Sequence, residues 1–104
     1  MTVEQLVARL AAVASEPRLR VLAMLERETL HVSELARRMG MSRPLLYMHL
    51  TRLEEAGFVR GRHELGADGK ALKYYDVEPF DVRITPAAIR AAVAAQPPRP
   101  SEKE

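Results

Sequence analysis

The stretch from Gly40 to Pro44 constrains the fold more than any other part of the chain, because one helix pattern ends and another begins within it. Glycine readily adopts the left-handed conformation that ends many helices, which suits Gly40. Ser42 has the side chain of an N-cap, and Pro44 is the second residue of the next helix, where an N–H lacks an intrahelical partner. The pattern predicts a helix, a tight turn and a second helix that stops at Gly57.

The second of these helices has one narrow apolar stripe. Leu46, Leu50 and Leu53 recur at helical spacing and are predicted to face the domain. His49 lies at the edge of the stripe, where it joins the helix packing or meets a phosphate. The remaining side and the N-terminal end carry Ser42, Arg43, Pro44, Leu45, Tyr47, Met48, Thr51, Arg52 and Glu55. Large apolar side chains rarely crowd a solvent face, so we predict that this side faces DNA. A solvated face, or burial in a different helix packing, is the alternative.

The chemistry of this side suits a duplex. A helix that follows such a turn presents its N-terminal residues to base edges in the major groove. Arg43 is the best candidate for direct reading, because its guanidinium can bind guanine O6 and N7 together. Ser42 and Tyr47 can donate to phosphate oxygens. Apolar contact to a thymine methyl can come from Leu45, Met48 and Thr51.

A basic hairpin is predicted to follow the helix. Residues 58–65 and 70–77 have strand patterns, and residues 66–69 supply the turn, with Asp-Gly as its strongest signal. Such a hairpin can bind the phosphates that flank a groove. The cations predicted to do so are Arg62, Lys70 and Lys73, whereas Arg60 packs nearer the domain. A solvated hairpin is the alternative.

Charge along the chain supports this division. Residues 37–75 contain eight Arg or Lys and four Asp or Glu, a net charge of +4, whereas the remaining residues carry −2. A DNA-binding half joined to an assembly half is expected to show this asymmetry.

Helices are predicted on the N-terminal side of this unit. Thr2 and Gln5 form a capping-box pattern, and Ser15 begins a second helix. In the first helix, apolar residues recur at helical spacing: Val3, Leu6, Val7, Leu10 and Ala14. The predicted buried positions of the second helix are Leu19, Leu22, Met24 and Leu25. Residues 30–32 suit only a small strand or an extended connection. Ser33 then caps a short third helix that turns Leu35, Ala36 and Met39 inward.

The C-terminal side is predicted to be simpler. Residues 80–84 alternate apolar with charged side chains, the period of a half-buried strand. Thr85 and Pro86 begin an alanine-rich helix through about Ala95, with Ile89 and Val93 one turn apart. Residues 1–95 therefore form one domain, and residues 96–104, which lack core-forming side chains, form a disordered tail.

Residues 33–75 resemble the winged helix-turn-helix of the ArsR/SmtB family of bacterial and archaeal transcriptional repressors. The matching residues are Ser33, His49, Leu50, Leu53, Ala56, Gly57, Phe58, Val59, Tyr74 and Tyr75. The resemblance implies a mainly α fold with a small β-hairpin wing (α+β), and a dimeric repressor that reads a pseudo-palindromic operator in double-stranded DNA. The predicted strand at residues 80–84 departs from the family's layout.

Both terminal helices are candidates for the dimer interface, because each is apolar over more of its circumference than a small core covers. The residues predicted to contact a second copy are Val3, Leu6, Val7, Leu10, Ile89 and Val93. The alternative is that both helices complete the core of the monomer.

The usual metal sites of the family are missing. Its metal sensors use cysteines beside the third helix or Asp/His pairs on the last helix, but this chain has no cysteine, and its predicted last helix has Arg90 and no histidine. No cofactor is required. A nickel or zinc effector at His31 or His63, each with a nearby carboxylate, is a further alternative beside two ordinary histidines.

Composition and motifs exclude other classes. A chain of 104 residues suits one domain, and the lack of cysteine, of a signal peptide and of an apolar run of about 20 residues favours a cytoplasmic protein without a membrane partner. Neither a Gly-rich phosphate loop nor a nucleophile–base pair indicates an enzyme. The competing function is a winged-helix module that binds a protein through Leu45, Tyr47 and Met48.

Overall fold

The computed structural model describes residues 1–95. Its elements in chain order are α1 (Val3–Val13), α2 (Glu16–Arg27), β1 (Leu30–His31), α3 (Val32–Met39), α4 (Arg43–Glu55), β2 (Val59–Leu65), β3 (Ala71–Val77) and α5 (Pro86–Ala94). This arrangement confirms the predicted mainly α fold with a hairpin wing. The tail predicted at residues 96–104 lies outside the described residues.

Local capping signals set most helix starts, as predicted. Thr2 and Gln5 form the complete capping box, and Ser15, Ser42 and Thr85 each accept a backbone N–H of the first turn. The prediction that Ser33 caps α3 is wrong. The helix begins two residues earlier than that cap implies, at Val32 directly after the strand, and the cap is His31, whose Nδ1 accepts the N–H of Glu34 at 3.4 Å.

The core lies between α2, α3, α4 and the sheet. Its fully buried side chains are Val21, Leu35, Leu46, Leu50, Leu53 and Phe58. The predicted stripe on α4 is therefore confirmed. On α2 the prediction was partly wrong, since Leu19 is 53% exposed while Val21 is buried with Leu22 and Leu25. The inward face of α2 follows the helical spacing 18, 21, 22 and 25, and that spacing leaves position 19 outside.

The three strands form one antiparallel sheet in the order β1-β3-β2. β3 lies in the centre, so that Leu30 and Gly61 both pair with Tyr75 from opposite sides. The two-residue strand predicted as an alternative at residues 30–32 is thus present as β1, and it anchors the start of α3 to the wing.

The prediction of a strand at residues 80–84 is wrong. This segment is irregular and joins β3 to α5 without a ladder partner. Its apolar side chains act singly instead: Phe80 packs edge-on to Phe58 at 4.6 Å between ring centroids, Val82 packs against the core, and Ile84 is exposed. Alternation alone does not make a strand where no neighbouring strand accepts its backbone.

Candidate nucleic-acid interface

The turn between α3 and α4 positions α4, the helix whose outer side is predicted to face DNA and which we call the recognition helix. Gly40 adopts φ 65°, and the N–H of Met41 donates to the carbonyl of Ala36 at 3.2 Å, which closes the end of α3. Ser42 Oγ then accepts the N–H of Leu45 at 3.3 Å and begins α4. Since Leu46 and Leu50 hold the inner side of α4 in the core, its other side is available to a ligand.

The structure leaves the predicted DNA-facing side exposed. Leu45 is 43% exposed, Tyr47 39% and Met48 47%. The other predicted contact residues on this helix and its cap are also exposed: Ser42, Arg43, Pro44, Thr51 and Arg52. The alternative that these side chains are core in a different packing is therefore wrong for this chain.

Arg43 is turned toward α3. Its Nη1 donates to Ser33 Oγ at 2.9 Å, so the guanidinium joins the N-terminal turns of the two helices. Sequence reasoning missed this role of Ser33, because its partner lies ten residues away in another helix. Arg52, in contrast, lines a groove with Ala8 and Ala11 of α1.

The wing cations differ in their surroundings. Arg62 pairs with Glu64 and, through Nε, with Asp76 Oδ2 at 2.7 Å. Arg62 and the Thr29 hydroxyl hold the pKa of Asp76 below its usual range. The nearest carboxylate to Arg60 is that of Glu78, at 3.7 Å. Within residues 1–95 neither Lys70 nor Lys73 has an ion-pair partner. No neighbouring carboxylate therefore offsets the charge of these lysines, in contrast to the two arginines.

A polar junction connects the wing to α4. Glu54 Oε2 of α4 accepts the N–H of Gly61 in β2 at 3.3 Å. Lys73 lies over the ring of Tyr75, with 5.5 Å between Nζ and the centroid, in space that the missing side chain of Gly61 leaves open. Burial raises the pKa of the Tyr75 hydroxyl. The junction fixes where Lys73 stands relative to Tyr47, and no local sequence signal pointed to it.

A cleft lies between the wing and the starts of α3 and α4. Its volume is about 200 Å³, and its lining residues are His31, Val32, Ser33, Arg43, Tyr47, His63, Ala71, Leu72 and Lys73. The two histidines proposed as metal ligands thus border the same cleft. Across residues 1–95, however, no group of three or more His, Asp or Glu side chains is arranged to hold a metal ion.

Arg18, which no sequence pattern indicated, joins three helices. Its Nε donates to Nδ1 of His49 on α4 at 3.1 Å, and its Nη1 lies 3.5 Å from the carbonyl oxygens of Ala11 and Ala12 at the end of α1. Burial, with a smaller effect of the Arg18 charge, lowers the pKa of His49. His49 therefore belongs to the helix packing, one of its two predicted locations.

The terminal helices pack together and keep part of their apolar surface outside. Val7 is 59% exposed, Ile89 44% and Val93 53%, while Val3 and Leu10 are half-buried. Leu6 differs, because it is only 6% exposed and belongs to the interior of the chain. It is not on the free face of α1 that the sequence prediction assumed.

Among the described helices, none is long and apolar enough to cross a membrane.

Comparison with known proteins gives consistent results. Residues 15–60 match the family described as bacterial regulatory protein, arsR family. No curated protein sequence matches the chain.

Three solved structures illustrate the similarity. HlyU from Vibrio cholerae is 33% identical, with 85% of this chain and 87% of that chain covered and a TM-score of 0.64. An ArsR family transcriptional regulator is 31% identical, with 75% of both chains covered and a TM-score of 0.63. The homodimeric winged helix-turn-helix DNA-binding domain of Mb0332 from Mycobacterium bovis is 27% identical, with 72% of this chain and 65% of that chain covered and a TM-score of 0.64.

Proposed function

Because the chain belongs to the ArsR family of bacterial regulatory proteins, we propose that it is a homodimeric repressor that binds a pseudo-palindromic operator. It is a transcriptional regulator with a winged helix-turn-helix DNA-binding fold, and it is not an enzyme. One recognition helix covers only a few base pairs, so two copies about one DNA turn apart are needed for a specific site. We place the protein in the cytoplasm, where double-stranded operator DNA is accessible.

The exposed outer side of α4 carries this proposal. Leu45, Tyr47 and Met48 cover adjacent positions on a helix whose inner side is buried, and Lys73 of the wing lines a cleft together with Tyr47. We assign base contact to Leu45, Met48 and Thr51. Phosphate contact is assigned to Ser42, Tyr47, Lys70 and Lys73. Arg52 and Arg62 contribute less, because Arg52 faces α1 and Arg62 is paired with two carboxylates.

The second copy is proposed to bind at the outer face of α1 and α5. Val7, Ile89 and Val93 are the apolar side chains that this face exposes, with Val3 and Leu10 at its border. Burial of such side chains in a dimer is favourable by roughly 25 cal/mol per Å² of apolar area. The face lies on helices that are distinct from α4, so dimerisation leaves the recognition helix accessible.

Titration of the protein against a fluorescent duplex from its own upstream DNA tests the function. The anisotropy should give an affinity that falls steeply with salt, because each bound phosphate releases condensed counterions. An unrelated duplex of equal length is the matched control and should bind more weakly. A protein that fails to bind DNA, yet forms a salt-insensitive complex with a protein through Leu45 and Met48, would instead be the interaction module.

The same titration with nickel, zinc or cobalt present tests the metal alternative. The one observation in its favour is that His31 and His63 border one cleft. Arg43 and Lys73 in that cleft oppose it, because two positive charges repel a metal cation. A change in DNA affinity that is lost in His31→Ala and His63→Ala would support a metal effector.

A further inference from the structure

We propose that the cleft between the wing and the starts of α3 and α4 is a phosphate-binding site, with Arg43 and Lys73 as its cationic ligands. The site itself does not depend on the proposed function, but the assignment of its main occupant, a phosphodiester of the DNA backbone, rests on that function. Inorganic phosphate or a phosphorylated small molecule is the second source of the same group.

The charge of the cleft selects an anion. None of its nine lining residues is a carboxylate, and two of them, Arg43 and Lys73, have cationic side chains. Four others can donate a hydrogen bond to an oxyanion: Ser33, Tyr47, His31 and His63. Two acidic residues, Glu34 and Glu64, directly follow lining residues in the sequence. Both are bound to arginines that do not line the cleft, Glu34 to Arg37 and Arg38 and Glu64 to Arg62. A volume of about 200 Å³ accommodates a phosphate group with its first waters.

Both cations are held in place without being neutralised. Arg43 is fixed by the 2.9 Å hydrogen bond to Ser33, a neutral partner. Lys73 is fixed by the ring of Tyr75 and by the space at Gly61, where a Cβ would lie 2.8 Å from Lys73 Cε. Holding charged ligands in a bound-like geometry lowers the ordering cost when an anion arrives. Val32, Ser33 and Arg43, the first residues of α3 and α4, also line the cleft, so the positive ends of both helix dipoles favour an anion there.

The position of the cleft identifies the occupant. A helix in the major groove and a wing at the adjacent minor groove are separated by one phosphate backbone, which must pass between them. In this chain the space between helix and wing is the cleft itself. Arg43 accordingly contributes affinity and register through phosphate, whereas its predicted role as a guanine reader would require it to leave Ser33.

The salt dependence of DNA binding tests the DNA arm. Each lost phosphate contact lowers the slope of log Kobs against log salt by about 0.9, hence by about 1.8 for two protomers. We expect Arg43→Ala and Lys73→Ala each to show this loss and to weaken operator and unrelated duplexes by the same factor. Arg27→Ala, an exposed arginine at the end of α2, is the matched control and should keep the wild-type slope. A variant that loses operator specificity at an unchanged slope contradicts the proposal.

Inorganic phosphate tests the site without DNA. Addition of phosphate at constant ionic strength, with chloride as control, should shift the amide resonances of Val32, Ser33 and Arg43, and Arg43→Ala should abolish the shifts. Shifts without a slope change assign the site to a free phosphate compound; a slope change without shifts assigns it to DNA alone. If neither the amide shifts nor the slope change is observed, the phosphate site is refuted, and the regulator proposal stands. Phosphate shifts in a protein that binds no DNA would overturn the regulator proposal and support the site.

Discussion

Replacement of Arg18 should destabilise the chain more than its half-exposed position suggests. The Arg18 guanidinium is the only described group that donates to His49 Nδ1, and it also lies beside the last carbonyl groups of α1, a helix without a basic residue in its own last turn. A hydrogen bond from a charged donor contributes about 1.5–3 kcal/mol, and a cation at a helix C-terminus about 0.3–1 kcal/mol. Because Arg18 is partly exposed, the lower ends of both ranges apply, and Arg18→Met should lower the free energy of unfolding by about 2 kcal/mol.

Urea unfolding at fixed protein concentration measures this loss. With an m value of about 1–3 kcal/mol/M, the midpoint should fall by about 0.7–2 M. Arg20→Met is the matched control on the same helix, because within residues 1–95 Arg20 pairs only with Glu16, and both side chains are mostly exposed. Such a surface pair contributes about 0.3–0.5 kcal/mol. Equal midpoints for the two variants would refute the argument that Arg18 joins α1, α2 and α4.

A third variant separates charge from geometry. Arg18→Lys keeps the positive charge but lacks the planar fork that reaches His49 and the α1 carbonyls together. It should recover about half of the lost stability. Full recovery would mean that charge alone accounts for the effect, and no recovery would mean that the fork accounts for it.

Four further predictions follow from particular contacts. Burial lowers the pKa of His49 below 6.5, so the neutral ring contributes fully to protein stability above pH 6.5, and this contribution is lost as the pH falls through the folded-state pKa. The urea midpoint should therefore be less pH-dependent in His49→Gln. Hydrogen bonds from Arg37 and Arg38 lower the pKa of Glu34 from 4.5 to about 2. The stabilising contribution of the Glu34 carboxylate is therefore present above pH 4.5 and disappears towards pH 2. Acid titration of Glu34→Gln by circular dichroism should show a shallower loss. Gly61→Ala brings a Cβ to 3.0 Å from the buried tyrosine ring, and the overpacking should cost about 1 kcal/mol, or about 5 °C in Tm by calorimetry. Val93→Glu should weaken the proposed dimer by about tenfold or more in sedimentation equilibrium, without changing the helical content.

Local signals in the sequence predicted most helices because their physical causes are local. A cap needs only its own side chain and the N–H groups of the next turn, so Thr2, Ser15, Ser42 and Thr85 were identified correctly. The stripe of α4 was equally clear, since its period is a property of one helix. The exposed outer side followed from the stripe.

Predictions failed where a distant partner decides the outcome. Ser33 resembles a cap, but the pairing of β1 with β3 starts α3 earlier and gives that role to His31. Residues 80–84 have the period of a strand, yet no strand edge receives them. The partners of Arg18 and Arg43 lie 31 and 10 residues away, and single-residue patterns hold no information about such contacts. The candidate site could therefore be located from sequence, whereas the roles of its arginines could not.

Photo-crosslinking from the recognition helix tests the central claim most directly. A benzophenone side chain introduced at Met48, which is 47% exposed, is irradiated in the presence of saturating upstream duplex. The same group at Leu19, which is 53% exposed on α2, controls for accessibility alone. If the outer side of α4 binds the major groove, the Met48 position will crosslink to DNA bases and the Leu19 position will not. Crosslinks to DNA from Leu19, with none from Met48, would contradict the account.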